Sequence, residues 1–167
     1  MFAVGDYIFY GNQGVCQVEG TLMMSRPGQS EERLYYQLTP LEKKGSSVFT
    51  PVDNDKVVMR PILSEEEAWT LIREMPGIGP IDLGEERRRE EVLKEVMRTC
   101  EPHAFVSVIK TLYPRKQERL TMGKKATVLD MKYLKAAENY LYGELSVAIG
   151  KEKDEMESFL TEYLSEL

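Results

Sequence analysis

The chain has 167 residues and a formal net charge of −6, with 42% apolar and 30% charged side chains. That size suits one domain or two small ones, each with a modest core. The composition is that of a globular protein, no apolar run approaches the ~18 residues of a membrane span, and the first residues lack the basic start of a secretory signal.

The first 60 residues read as β-structure. Residues 6–10 alternate and are rich in aromatics, and Gly11-Asn12-Gln13-Gly14 supplies a turn. Residues 15–20 alternate again, Arg26-Pro27-Gly28-Gln29 makes a second turn, and residues 33–38 are a further strand. Residues 46–50 and 57–59 complete the set, which predicts a small barrel of SH3 or Tudor type. Pro51 directly after residues 46–50 puts that strand's end at an edge or rim, because proline cannot donate to a ladder.

The pattern changes at Pro61. Ser64 and Glu67 have capping-box spacing, so a helix is expected to about Met75, with Trp69, Leu71 and Ile72 available for packing. Two Pro and two Gly within residues 76–80 form the clearest break in the chain, and the linker is expected there, with the first helix open to either side. The expected division is a barrel at 1–62, a connecting helix and Pro/Gly linker at 63–82, and an all-α domain at 83–167, giving an α+β protein. A helix with Val92, Leu93, Val96 and Met97 follows. Another starts near Pro102 and carries Phe105, Val108, Ile109 and Leu112, with Pro114 expected to break or kink it. Thr127 and Asp130 mark a third start, and Leu134, Ala137, Leu141, Leu145 and Ala148 form its stripe up to Gly150. A last helix has Met156, Phe159, Leu160, Tyr163 and Leu164 on one face.

Catalytic chemistry finds little support. His103 is the only histidine, the two cysteines Cys16 and Cys100 are far apart, and no Ser or Cys sits in a recognisable nucleophile frame. Neither a metal, a cofactor nor an enzymatic activity is expected. The few thiols fit a reducing cytoplasm. Trp69 lies on a short amphipathic helix, which favours packing over base stacking.

Charge is the distinctive signal. Residues 110–135 hold eight basic side chains against Glu118 and Asp130, a local surplus of +6 in an acidic chain, whereas residues 151–167 carry −4, Glu166 included. Such a segregated basic patch on a helical pattern is the footprint of a phosphate-backbone binder. Lys110, Arg115, Lys116, Arg119, Lys124 and Lys125 are its candidate contacts. Arg87, Arg88 and Arg89 are further candidates, although Glu85, Glu86, Glu90 and Glu91 offer them surface ion pairs instead.

These motifs, in this order, resemble the CarD/CdnL transcription regulators, whose N-terminal module also occurs in transcription-repair coupling factors. The opening Phe2-Ala3-Val4-Gly5-Asp6, Tyr10 and Asn12-Gln13-Gly14-Val15 is similar to that family's start, with Gln13 where the family has His. Ser47-Val48-Phe49-Thr50-Pro51 matches its Val-Pro strand. Residues 109–113, 115–119, 123–125 and 142–145 look like its clostridial-type members. The resemblance implies a Tudor-like barrel that binds the β subunit of bacterial RNA polymerase through an edge containing Val48, Phe49 and Thr50. It also implies a helical domain on promoter DNA; a monomeric, cytoplasmic, nucleoid-associated protein without membrane attachment is expected. Family members wedge a Trp into the minor groove at the bubble edge. Here Ile81 or Leu83 stands in that region instead. The expected function is a non-enzymatic regulator of open-complex stability. The rival is an adaptor whose basic helices bind an acidic protein, and a weaker rival is an RNA-binding protein.

Overall fold

The computed structural model describes residues 1–165, so Glu166 of the acidic chain end lies outside the described residues. The chain divides into two compact units, Met1–Ile62 and Leu63–Leu167.

The first unit is a five-stranded antiparallel sheet: β1 (Tyr7–Tyr10), β2 (Gly14–Ser25), β3 (Glu32–Pro40), β4 (Val48–Pro51) and β5 (Met59–Pro61), in spatial order β4-β3-β2-β1-β5. Gly14, at φ +77, makes the tight return from β1 into β2 that a side chain would strain. The second strand runs on to Ser25, five residues past the expected end at Gly20, through a register shift between Val18 and Gly20. A bulge of this kind lets a strand bend without ending, and Gly20 tolerates the bend. Alternation puts Ile8, Tyr10, Cys16, Val18, Tyr36 and Leu38 on one face as the core. Val48 of β4 and Met59 of β5 both pack on that same cluster, so the sheet curls around it as a small open barrel whose two edges are β4 and β5.

The second unit is helical: α1 (Glu65–Glu74), α2 (Arg89–Arg98), α3 (Pro102–Thr121), α4 (Val128–Ile149) and α5 (Met156–Ser165). The capping box forms as expected, with the Glu67 amide donating to Ser64 Oγ at 3.1 Å and the Ser64 amide donating to Glu67 Oε1 at 3.0 Å. Gly150, left-handed at φ +70, ends α4. Buried Leu71, Ile72, Leu93, Phe105, Val108, Leu112, Leu134, Leu141 and Leu145 build the core. Trp69 packs on Phe159 and Tyr163 of α5, at centroid distances of 6.0 and 5.7 Å, in keeping with a packing role.

One expectation about breaks differs from the structure. Pro114 neither ends nor splits α3, which is continuous over 20 residues. Pro114 is exposed and costs α3 a single hydrogen bond, the one to the Lys110 carbonyl, while packing against α4 holds the rest. The compact units part at Ile62/Leu63, the expected end of the barrel, and the segment 63–82 lies within the helical unit. Lys110 Nζ donates to the carbonyls of Met75 and Ile78, and the Ile81 amide donates to Thr111 Oγ1 at 2.7 Å. Residues 75–81 are thus fastened along α3. The start of α1 is held too, by the Leu63 amide donating to the buried Glu144 carboxylate at 2.8 Å.

Candidate interaction surfaces: a sheet edge and a basic helical turn

Among the described residues strand β4 pairs only with β3, in the register Tyr36↔Thr50, Gln37↔Phe49 and Leu38↔Val48. The Val52 amide donates to the Leu34 carbonyl at 3.0 Å, which fixes the phase of the ladder. Antiparallel pairs alternate between hydrogen-bonded and non-bonded, so Thr50 and Val48 turn their main-chain groups toward β3. Phe49 therefore turns both its N–H and its C=O away from the sheet, and its ring is 42% exposed. Pro51, next in phase, offers a carbonyl without an N–H. Thr50 is buried and Val48 half-buried, so these two hold the strand to the core while Phe49 presents the edge. The opposite edge is blunter: β5 has three residues and ends on Pro61, which has no amide to offer.

The basic segment is less uniform than its charge suggests. Lys110 is spent on two carbonyls, as described. Arg115 Nε donates to Asp130 Oδ2 at 3.0 Å, and Arg89 Nη1 lies 3.8 Å from Asp130 Oδ1. Asp130 is 1% exposed and sits in the first turn of α4, whose cap Thr127 accepts its amide at 3.1 Å. Arg89, Arg115 and Asp130 thus form an ion cluster joining α2, α3 and α4. Arg119 Nε donates to the Lys125 carbonyl at 2.7 Å and closes the α3–α4 turn. Arg87 pairs with Glu85 at 2.9 Å and Arg88 with Glu91 at 3.4 Å, all four exposed, whereas Arg89 of the same run turns to Asp130.

What remains open is concentrated around that turn. Lys124 and Lys125 are exposed within it, Lys116 is half-buried on α3, and Lys132 and Lys135 are exposed on the first turns of α4. Lys132 has a long contact, 3.9 Å, with Glu90 and lies 5.3 Å from the centroid of the Tyr133 ring. The same turn exposes Leu120, Met122 and Val128, the last at 89%. The sequence analysis names none of these three; the signal was an apolar residue on each side of Gly123-Lys124-Lys125. Ile81 and Leu83 are half-buried, with the Ile81 main chain tied to Thr111. His103 bonds Glu74 at 2.7 Å on the surface. Among the described residues no helix is long and apolar enough to cross a membrane.

No curated protein matches the chain. A family model does: residues 2–63 match that of the CarD-like/TRCF RID domain, over a stretch that coincides with the sheet unit. The N-terminal unit of this chain is a CarD-like/TRCF RID domain.

Proposed function

We propose that the protein regulates transcription by docking on the β subunit of RNA polymerase through its RID domain and holding promoter DNA with the α3–α4 turn. The observation that carries this reading is the family match over residues 2–63 together with an unpaired edge at β4. A strand of the partner adds to that edge: the Phe49 N–H and C=O make the main-chain bonds, and the exposed ring selects the partner surface. The helical unit brings Lys116, Lys124, Lys125, Lys132 and Lys135 to the phosphate backbone, which positions without reading sequence. The acidic remainder of the chain keeps free DNA affinity low, and tethering to polymerase raises the local concentration toward millimolar. The exposed Leu120, Met122 and Val128 provide more accessible apolar contact at a distorted minor groove than half-buried Ile81 and Leu83. Effects on open-complex lifetime follow from that contact.

The test is fluorescence anisotropy of duplex DNA at several salt concentrations, with an acidic protein as competitor. The reading expects salt-dependent retention on duplex and no displacement by the acidic protein. Retention of the acidic protein in place of DNA makes the helical unit an adaptor.

A further inference from the structure

An open strand edge accepts any strand that presents matching main-chain groups, and the strand nearest to hand in solution is its own copy. The geometry of β4 suits that pairing. Phe49 turns both its N–H and its C=O outward, so two β4 strands set antiparallel about Phe49 exchange both bonds across a two-fold axis. Pro51 has no amide to give, but this register uses only its carbonyl, which then faces Ser47 of the second copy. Directly opposite residues share a face of a sheet. The two Phe49 rings, each 42% exposed, therefore meet on the side away from the core, as a cross-strand aromatic pair.

The charges that flank β4 point the same way. Before the strand, exposed Lys43 and Lys44 outnumber Glu42; after it, exposed Asp53 and Asp55 outnumber Lys56. Antiparallel pairing of two copies sets the basic end of each beside the acidic end of the other. Parallel pairing would set like charge beside like. The edge is thus complementary to itself in main-chain phase and in charge, and in one orientation only.

We propose that two copies of the chain pair through β4, antiparallel about Phe49, and that this dimer withholds the edge from polymerase β. The second clause rests on docking through β4; the pairing does not. A four-residue strand makes a contact far smaller than a stable interface, so a dissociation constant on the order of 100 µM is expected. The chain is then single when dilute and paired where it is crowded, and polymerase β competes with self-association by mass action.

Sedimentation equilibrium of the full chain, from about 5 µM to about 1 mM, tests the pairing. The average mass should rise from one chain toward two, and about 1 M salt should weaken association at least about threefold. Phe49→Pro should stay at one chain with its circular dichroism unchanged. Under mild oxidation Phe49→Cys should crosslink to its own copy, because opposed Cα atoms of a hydrogen-bonded pair lie about 5.5 Å apart, within disulfide reach. Ser47→Cys, about 13 Å from its copy in this register, should not. Both native cysteines are buried, so crosslinking reports the introduced site. A one-chain mass at about 1 mM, a Phe49→Pro variant that dimerises like wild type, or Ser47→Cys crosslinking as fast as Phe49→Cys overturns the pairing. Reduced Phe49→Cys should bind polymerase β at least about tenfold tighter than its oxidised dimer, and equal affinities overturn the exclusion. If wild type and the reduced variant both lack polymerase β affinity, docking fails instead, and mass and crosslinking still decide the pairing.

Discussion

Replacing Asp130 with Ala isolates the most consequential side-chain contact of the helical unit. The carboxylate is 1% exposed and holds Arg115 at 3.0 Å and Arg89 at 3.8 Å. Breaking a buried pair from one side costs about 3–5 kcal/mol, because it leaves an uncompensated charge. The Arg89 side chain is 15% exposed and bears that cost nearly in full, whereas Arg115, at 35%, is partly rescued by water. Loss of an acid from the first turn of α4 adds about 0.5 kcal/mol through the helix dipole. The sum expected is about 3 kcal/mol, or roughly 15 °C in melting temperature for a domain of this size. Urea unfolding followed by circular dichroism at 222 nm measures it. Pairing Asp130→Ala with Arg115→Ala in a double-mutant cycle should give a coupling of about 1–2 kcal/mol. A loss below about 1 kcal/mol, or coupling near zero, would mean that Arg115 is a free surface cation and that the ion cluster contributes nothing.

Three further outcomes follow from the same geometry. Changing Lys116, Lys124 and Lys125 together to Ala should lower the slope of log affinity against log salt by up to about 2.7, at ~0.9 per phosphate contact, whereas Lys110→Ala and Arg115→Ala should lower stability and leave the slope nearly unchanged. Burial raises the Cys16 thiol to about 12 from 9.0. The unfolded chain therefore releases this proton at lower pH than the folded one, so sheet stability should fall as pH rises from about 9 toward 12, and Cys16→Val should flatten that fall in denaturant titrations. Leu120→Ala, Met122→Ala and Val128→Ala combined should shorten open-complex lifetime with docking intact, while Leu83→Ala should change it less; equal effects would move the apolar contact back to residues 81–86.

The strands were legible because Ile8, Tyr10, Cys16 and Val18 fall on one face at alternate positions, and Gly or Pro marks the first three turns. The end of β2 was not, because Gly20 signals a stop equally well as a bulge. Helix starts at Ser64, Pro102 and Thr127 were readable from capping chemistry, which is local. The role of the basic segment was only half readable. A charge count records Lys110 and Arg115 as surplus positive charge, but their partners are the Met75 and Ile78 carbonyls and the Asp130 carboxylate, brought near by tertiary packing. Proline in α3 failed as a signal for the same reason, since contact with α4 outweighs a single missing bond. At the β4 edge, sequence identified the strand but not the phase of its ladder. The Val52–Leu34 bond and the burial of Thr50 tell Phe49 apart from its neighbours.

That phase gives the most direct test of docking by strand addition. Polymerase β affinity should be measured by biolayer interferometry for the wild-type chain, Phe49→Pro and Phe49→Ala, with circular dichroism confirming the fold. Phe49→Pro removes an outward amide that β3 does not use, so the sheet should persist while affinity falls by about a hundredfold or more; Phe49→Ala should retain the main-chain bonds and lose less. A folded Phe49→Pro variant that binds polymerase β as tightly as wild type would contradict docking through this edge.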